Sequence, residues 1–177
     1  MFFPSVPSLA LLALVWGFIL NPLGSGALNS VLEALFGIGP FPWLSNADLA
    51  KVSVIVVALW SATGWHAILY LAYLQSIPAD YYEVARIDGA SALQRFRYVT
   101  LPLLSPAVTI STLLLLTGGL KVYELPFVLT AGGPGTATWT ITQSIIVGGV
   151  GQGNYGLSSA LSTVFMFAVA AIVLLQL

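Results

Sequence analysis

Cysteine is absent from this 177-residue chain, which excludes a disulfide framework, an iron–sulfur cluster and thiol catalysis. Charge is scarce as well. Five basic and six acidic side chains amount to 6% of the residues, against about 25% in a soluble domain. A net charge of −1, with no Lys/Arg run, leaves no electrostatic attraction to nucleic acid or anionic lipid. His66 is the one histidine. With no H-E-x-x-H sequence and no aspartate inside an apolar run, the chain lacks the water-activating set of an intramembrane hydrolase. A G-x-x-x-x-G-K-[ST] phosphate loop is also missing.

Apolar sequence is what the chain has in abundance, at 58% of its residues. Four runs stand out, at about 2–20, 49–74, 101–122 and 157–177. Since about 20 residues of helix cross a ~30 Å hydrocarbon core, each run is read as a transmembrane helix. The expected fold is therefore all-α, a single polytopic transmembrane bundle over residues 1–177. The second run would be about 39 Å long as a helix, which implies tilt. Pro4 and Pro7 interrupt the start of the first run, for which a signal peptide is the rival reading; the basic n-region of such a peptide is missing. The last run stops at Gln176-Leu177 without a Lys/Arg anchor, and Met1 begins no plausible leader. Both ends read as cut, so the chain is expected to be a fragment.

Arg86, Arg95 and Arg97 share the connection between spans two and three, while Lys51 and Lys121 lie at the opposite ends of those spans. That connection is expected on the cytoplasmic side. Asp48 and Glu124 stand three residues from Lys51 and Lys121 and are the expected helical partners of these lysines. On the outer side, Leu28, Val31, Leu32, Leu35 and Phe36 recur at helical spacing, which predicts a short interfacial helix ended by Gly37. Ala131-Gly132-Gly133-Pro134-Gly135 predicts a turn in the second outer connection. Glu33 and Asp48 are expected to face outward.

Six of the eleven charged residues fall between Asp80 and Arg97. Pro78 suits a first helical turn, and Gly89 suits the position just past a helix C-terminus. Ser91 and Gln94 then form the capping pair of a second helix, from about Ala92 to Tyr98, before Pro102 marks entry into span three. The result is a pair of helices over 78–98. Tyr82, Ala85 and Arg86 share one side of the first, and Leu93, Phe96 and Arg97 one side of the second. Such a pair can act as a knob for a groove in another protein or be an ordinary solvated connection.

Glu83-Val84-Ala85, then Asp88-Gly89-Ala90, then Leu101-Pro102 resemble the EAA loop of membrane permease subunits of binding-protein-dependent ABC importers. Val84 departs from the alanine of that motif. Leu74-Gln75-Ser76-Ile77-Pro78, Arg86-Ile87-Asp88-Gly89-Ala90-Ser91 and Val128-Leu129-Thr130-Ala131-Gly132-Gly133-Pro134-Gly135 resemble the carbohydrate branch, the maltose and glycerol-phosphate type. The similarity runs from about Asn21 to the end. It implies a multi-pass protein of a prokaryotic plasma (inner) membrane, with six spans where this chain shows about four, the missing portion being N-terminal. It also implies a second permease subunit, two copies of a cytoplasmic ATP-binding subunit, an extracytoplasmic solute-binding protein and a sugar-like solute. By the same resemblance the chain is a transporter subunit and not an enzyme. It carries no cofactor of its own, ATP and Mg belonging to the partner. The set that meets the ATPase subunit would be Tyr82, Glu83, Ala85, Arg86, Asp88, Gly89, Ala90, Phe96, Leu101 and Pro102. The alternative is an ABC permease for another polar solute, such as an amino acid, a peptide or phosphate.

Trp60 and Trp65 lie near the middle of span two, away from the interfacial belt where tryptophan collects. Five residues set them about 140° apart on an ideal helix, so they share one pore only if Gly64 lets the helix distort. By resemblance both match aromatic positions of the sugar site in maltose-type permeases, and Ala62 matches a small residue there. Gly118, Gly119, Lys121, Val122 and Tyr123 match the other half, without the asparagines of the maltose permease. Lys121 and Glu124 are a candidate polar pair at the rim, either contacting solute or bonded to each other. His66 is expected to be a polar packing residue beside the path.

Overall fold

The computed structural model describes residues 3–23 and 26–176, and every regular element among them is helical. After a 3-10 turn at Phe3–Ser5 come α1 (Leu9–Ile19), α2 (Ala27–Phe36), α3 (Ala47–Ser76) and α4 (Ala79–Ile87). They are followed by α5 (Ala92–Leu120), α6 (Glu124–Thr130), a helical stretch α7 over 141–152 and α8 (Tyr155–Gln176). Among the described residues three helices are long and apolar enough to cross a membrane: α3, α5 and α8.

The first expected span is shorter than the sequence suggests. Its described helix, α1, has 11 residues, about 16 Å at 1.5 Å per residue, which is roughly half a hydrocarbon core. Pro4 and Pro7 hold the preceding chain out of the helix, and Ser8 caps α1 by accepting from the Leu11 N–H.

The Asn46 side chain starts α3 by accepting from the N–H groups of Asp48 and Leu49 at 3.0 and 3.2 Å. Ala50, Ser53, Val57, Ser61 and Gly64 are buried along one face of α3. The buried residues of α5, Ala107 and Ser111, are small as well. Small residues let membrane helices approach closely, where dispersion contacts and short hydrogen bonds replace a hydrophobic driving force. The same device joins α7 to α8: a Cβ on Gly149 would fall 2.5 Å from the Ser158 Cβ, and Ser158 Oγ donates to the Ile145 carbonyl at 3.0 Å.

The second loop helix is not a separate element. It runs on into the span as one 29-residue helix, α5, through a wide turn at Phe96–Thr100 in which the Leu101 N–H bonds to the Phe96 carbonyl five residues back. This turn sits directly before Pro102, which has no N–H to give and would otherwise break the ladder. Widening the turn keeps the helix going.

At the end of the bundle opposite the arm α6 is buried, with Leu125 and Leu129 in a core that includes Ala13 and Leu20 near α1 and Val57 of α3. The expected α2 is present, ended by Gly37 at φ +65°. It is fastened by Asn29, 1% exposed. Asn29 Nδ2 donates to the carbonyls of Asn21 and Phe41, while its Oδ1 accepts from the Phe41 N–H and Trp43 Nε1. The expected glycine-rich turn is also present, with Ala131, Gly132 and Gly135 at φ +52°, +85° and +60°. Trp139 packs so closely on Gly132 that a Cβ there would overlap its ring.

Candidate functional site: an inter-span cavity and a two-helix arm

The arm is built by local rules. Helix α4 ends in a Schellman motif, in which the Gly89 N–H bonds to the Arg86 carbonyl at 3.0 Å and the Ala90 N–H to the Ala85 carbonyl at 2.9 Å. Gly89 supplies φ +75°, and a Cβ there would meet nothing within 4 Å. The residue is required for its backbone angle and not for space. The capping box at Ser91 and Gln94 is complete in both directions, and Arg95 Nη1 donates to the Ala90 carbonyl at 2.9 Å. One side-chain bond ties α4 to α5, Tyr82 Oη to Thr100 Oγ1 at 3.1 Å.

This folding sorts the predicted arm residues into two groups. Tyr82, Ala85 and Ala90 are half-buried between the two helices; Glu83, Arg86, Asp88, Gly89, Phe96, Leu101 and Pro102 are exposed. Ile87 and Leu93, which were not among the predicted contact set, are 85% and 75% exposed and carry the arm's most open apolar surface. Between the helices lies a shallow hollow of about 290 Å³ bordered by Asp88, Gln94 and Tyr98.

A larger cavity of about 600 Å³ lies between α3 and the C-terminal half of α5, bordered on one side by the N-terminal turn and by Leu125 of α6. Of the residues predicted for the solute path, Ala62, Trp65, Gly119 and Val122 line it. Gly118 lines it as well, and a Cβ on either glycine would enter open space. The remaining predicted residues lie elsewhere. Trp60 turns to α1 and meets Trp16 edge-on at 5.4 Å. Gly64 is buried in the packing face of α3. Tyr123 stacks on Phe127 at 5.0 Å.

Lys121 and Glu124 do not pair. Helix α5 stops at Leu120, and Tyr123 takes φ −136°, ψ −57°. The three-residue spacing therefore no longer lies on one helix, and both side chains are exposed. The ion pair found among the described residues is Lys51–Asp48 at 3.3 Å, a surface contact worth at most about 1 kcal/mol.

Ser5 shapes the cavity, and no sequence signal marked it. Its Oγ donates to the Ser61 carbonyl at 2.8 Å and accepts from the Trp65 N–H at 3.1 Å. Those two groups are i, i+4 partners in the ladder of α3, so the hydroxyl bonds to both of them beside Trp65. His66 also borders the cavity, and its Nδ1 lies 2.8 Å from Ser111 Oγ of α5.

Packed helices long and apolar enough to span a membrane, an exposed two-helix arm and an inter-span cavity define the class as a polytopic helical membrane protein. The chain belongs to the family of binding-protein-dependent transport system inner membrane components, whose profile matches residues 1–177. It is 35% identical over 178 residues to YurN, a probable ABC transporter permease protein of Bacillus subtilis, covering 99% of this chain and 60% of that protein. It is 38% identical over 150 residues to MalF, a trehalose/maltose transport system permease of Thermococcus litoralis, covering 85% of this chain and 50% of that protein. Among solved structures, it is similar to a chain of a bacterial alginate ABC transporter in complex with alginate pentasaccharide-bound periplasmic protein. That match has a TM-score of 0.88 and 25% identity, and covers 99% of this chain and 60% of the other. The chain thus spans about 50 to 60% of the length of these relatives.

Proposed function

We propose that this chain is a permease subunit of an ATP-driven importer and forms half of the transmembrane path for a sugar or sugar-like solute. In this reading it pairs with a second permease and receives solute from an extracytoplasmic binding protein. Its arm, facing the cytoplasm, rests on one of two ATP-binding subunits that hold ATP and Mg. The observation that carries the reading is the cavity. Residues aligned by resemblance from two distant parts of the chain, Ala62 and Trp65 on α3 and Gly119 and Val122 at the end of α5, converge on one space. An aromatic face beside small residues suits the apolar face of a sugar ring. The relatives named for trehalose/maltose, arabinooligosaccharide and lactose transport support the same solute class.

The test uses the assembled importer in proteoliposomes with radiolabelled trehalose, maltose and lactose. Gly119→Leu fills the cavity without meeting protein atoms at its Cβ. It is expected to abolish uptake while the subunits still co-purify. Uptake at the parental rate by this variant would remove the cavity from the path.

A further inference from the structure

Among the described residues His66 is the one titratable side chain bordering the large cavity, whose described walls are otherwise aliphatic or glycine apart from Trp65, Ser5 and Ser61. Both serines are committed, Ser5 across the α3 ladder and Ser61 Oγ as donor to the Ala58 carbonyl at 2.9 Å. His66 is committed at one nitrogen only. Its Nδ1 lies 2.8 Å from Ser111 Oγ, whereas no group among the described residues bonds to its Nε2.

Ser111 decides what the free nitrogen offers. It is 1% exposed on α5, where a buried hydroxyl must give its proton to an acceptor. Its helical neighbours Thr109 and Thr112 give theirs to the carbonyls four residues back, Ser105 and Val108. Ser111 makes no such bond, and Nδ1 of His66 is its one partner. With the serine as donor, Nδ1 is the acceptor and the ring proton sits on Nε2. Ser111 borders a second, smaller cavity of about 340 Å³, and His66 lines both this space and the large one.

We propose that His66, held in its Nε2–H form by Ser111, is a specificity-determining donor that bonds an acceptor oxygen of the solute in the inter-span cavity. This rests on the carbohydrate reading given above, because a neutral N–H donor in an apolar wall fits a sugar hydroxyl or ring oxygen. A solute lacking such an acceptor would leave the donor unpaired.

Two substitutions divide the ring between them. His66→Asn places an amide where Nδ1 lies and keeps the Ser111 bond; His66→Gln reaches the Nε2 position and gives up that bond. In proteoliposomes with trehalose, maltose and lactose as probes, His66→Asn should raise the half-saturation concentration about three- to tenfold, the loss of one neutral hydrogen bond. His66→Gln should stay nearer the parental value. The reverse order, or no change in either, would assign His66 to span packing alone.

A second measurement needs no solute. With only this chain carrying 15N-histidine in the assembled importer, the His66 ring should show one neutral Nε2–H tautomer, and Ser111→Ala should convert it to a mixture. An Nδ1–H ring, or a spectrum unchanged by Ser111→Ala, overturns the assignment whatever the solute. A parental importer that takes up none of the three sugars, yet shows the Nε2–H ring and its loss in Ser111→Ala, would retain the donor and remove the carbohydrate reading.

Discussion

Tyr82 Oη and Thr100 Oγ1 lie 3.1 Å apart across 18 residues of chain, joining α4 to the wide turn of α5 that precedes Pro102. This bond is expected to hold the arm against the span. Tyr82→Phe removes it at an expected loss of about 1 kcal/mol, too little to unfold the bundle. Faster hydrogen exchange confined to 79–87 would follow, with weaker solute-stimulated ATP hydrolysis. Exchange unchanged over that helix would show that the bond does not hold the arm.

Gly89 tests the arm by a different route. Because its Cβ position is empty, the penalty of Gly89→Ala comes from the backbone at φ +75° alone, about 1 kcal/mol or more. Asparagine visits that region more readily than alanine, so Gly89→Asn should recover part of the loss. ATPase activity and uptake should fall together in Gly89→Ala and in Glu83→Ala, with assembly intact by co-purification. Parental rates in both would return the arm to the role of a solvated connection.

The two tryptophans of α3 should separate cleanly. Trp60→Ala loses the edge-on contact with Trp16 and should lower thermal stability by at least about 1 kcal/mol. Trp65→Ala, at the cavity wall, should change solute selectivity or uptake and leave the melting temperature nearly unchanged. A swap of these outcomes would place the path on the α1 side of α3.

Asn29 should matter more for stability than any charged residue in the chain. Asn29→Ala strands the Phe41 N–H, Trp43 Nε1 and two carbonyls in a nearly dry site, an expected loss of about 3 kcal/mol. Asn29→Asp keeps the acceptor and loses the donor, so it should fall between alanine and the parent. Thermal unfolding in detergent would show that order.

The arginines predict a cytoplasmic arm. A cysteine placed by Ala92→Cys should react with an impermeant maleimide in inside-out vesicles and stay unlabelled in intact cells. Labelling in intact cells reverses the orientation.

Local rules made much of this protein legible in one dimension. The scarcity of charge and the apolar runs point to a membrane bundle because backbone groups in lipid must pair within a helix. Gly37 and Gly89 mark helix ends because each sits at positive φ. Ser91 and Gln94 announce a cap because both partners lie within four residues. The family motifs are equally linear, and they carried the class of protein.

Other features depended on neighbours that the linear chain does not display. Helix α5 continues where Pro102 predicts a fresh start, since a wider turn satisfies the backbone instead. Lys121 and Glu124 part because the chain bends between them, a bend set where α6 buries Leu125 against α1 and α3. Trp60 meets Trp16 from another helix while Trp65 borders the cavity, where its N–H donates to the hydroxyl of Ser5, 60 residues earlier. The sequence determined the apolar runs and the helix caps at Gly37, Gly89 and Ser91 because a cap depends on contacts within one turn. Only the tertiary structure decided which faces meet, because burial and hydrogen bonding between helices are properties of pairs of surfaces.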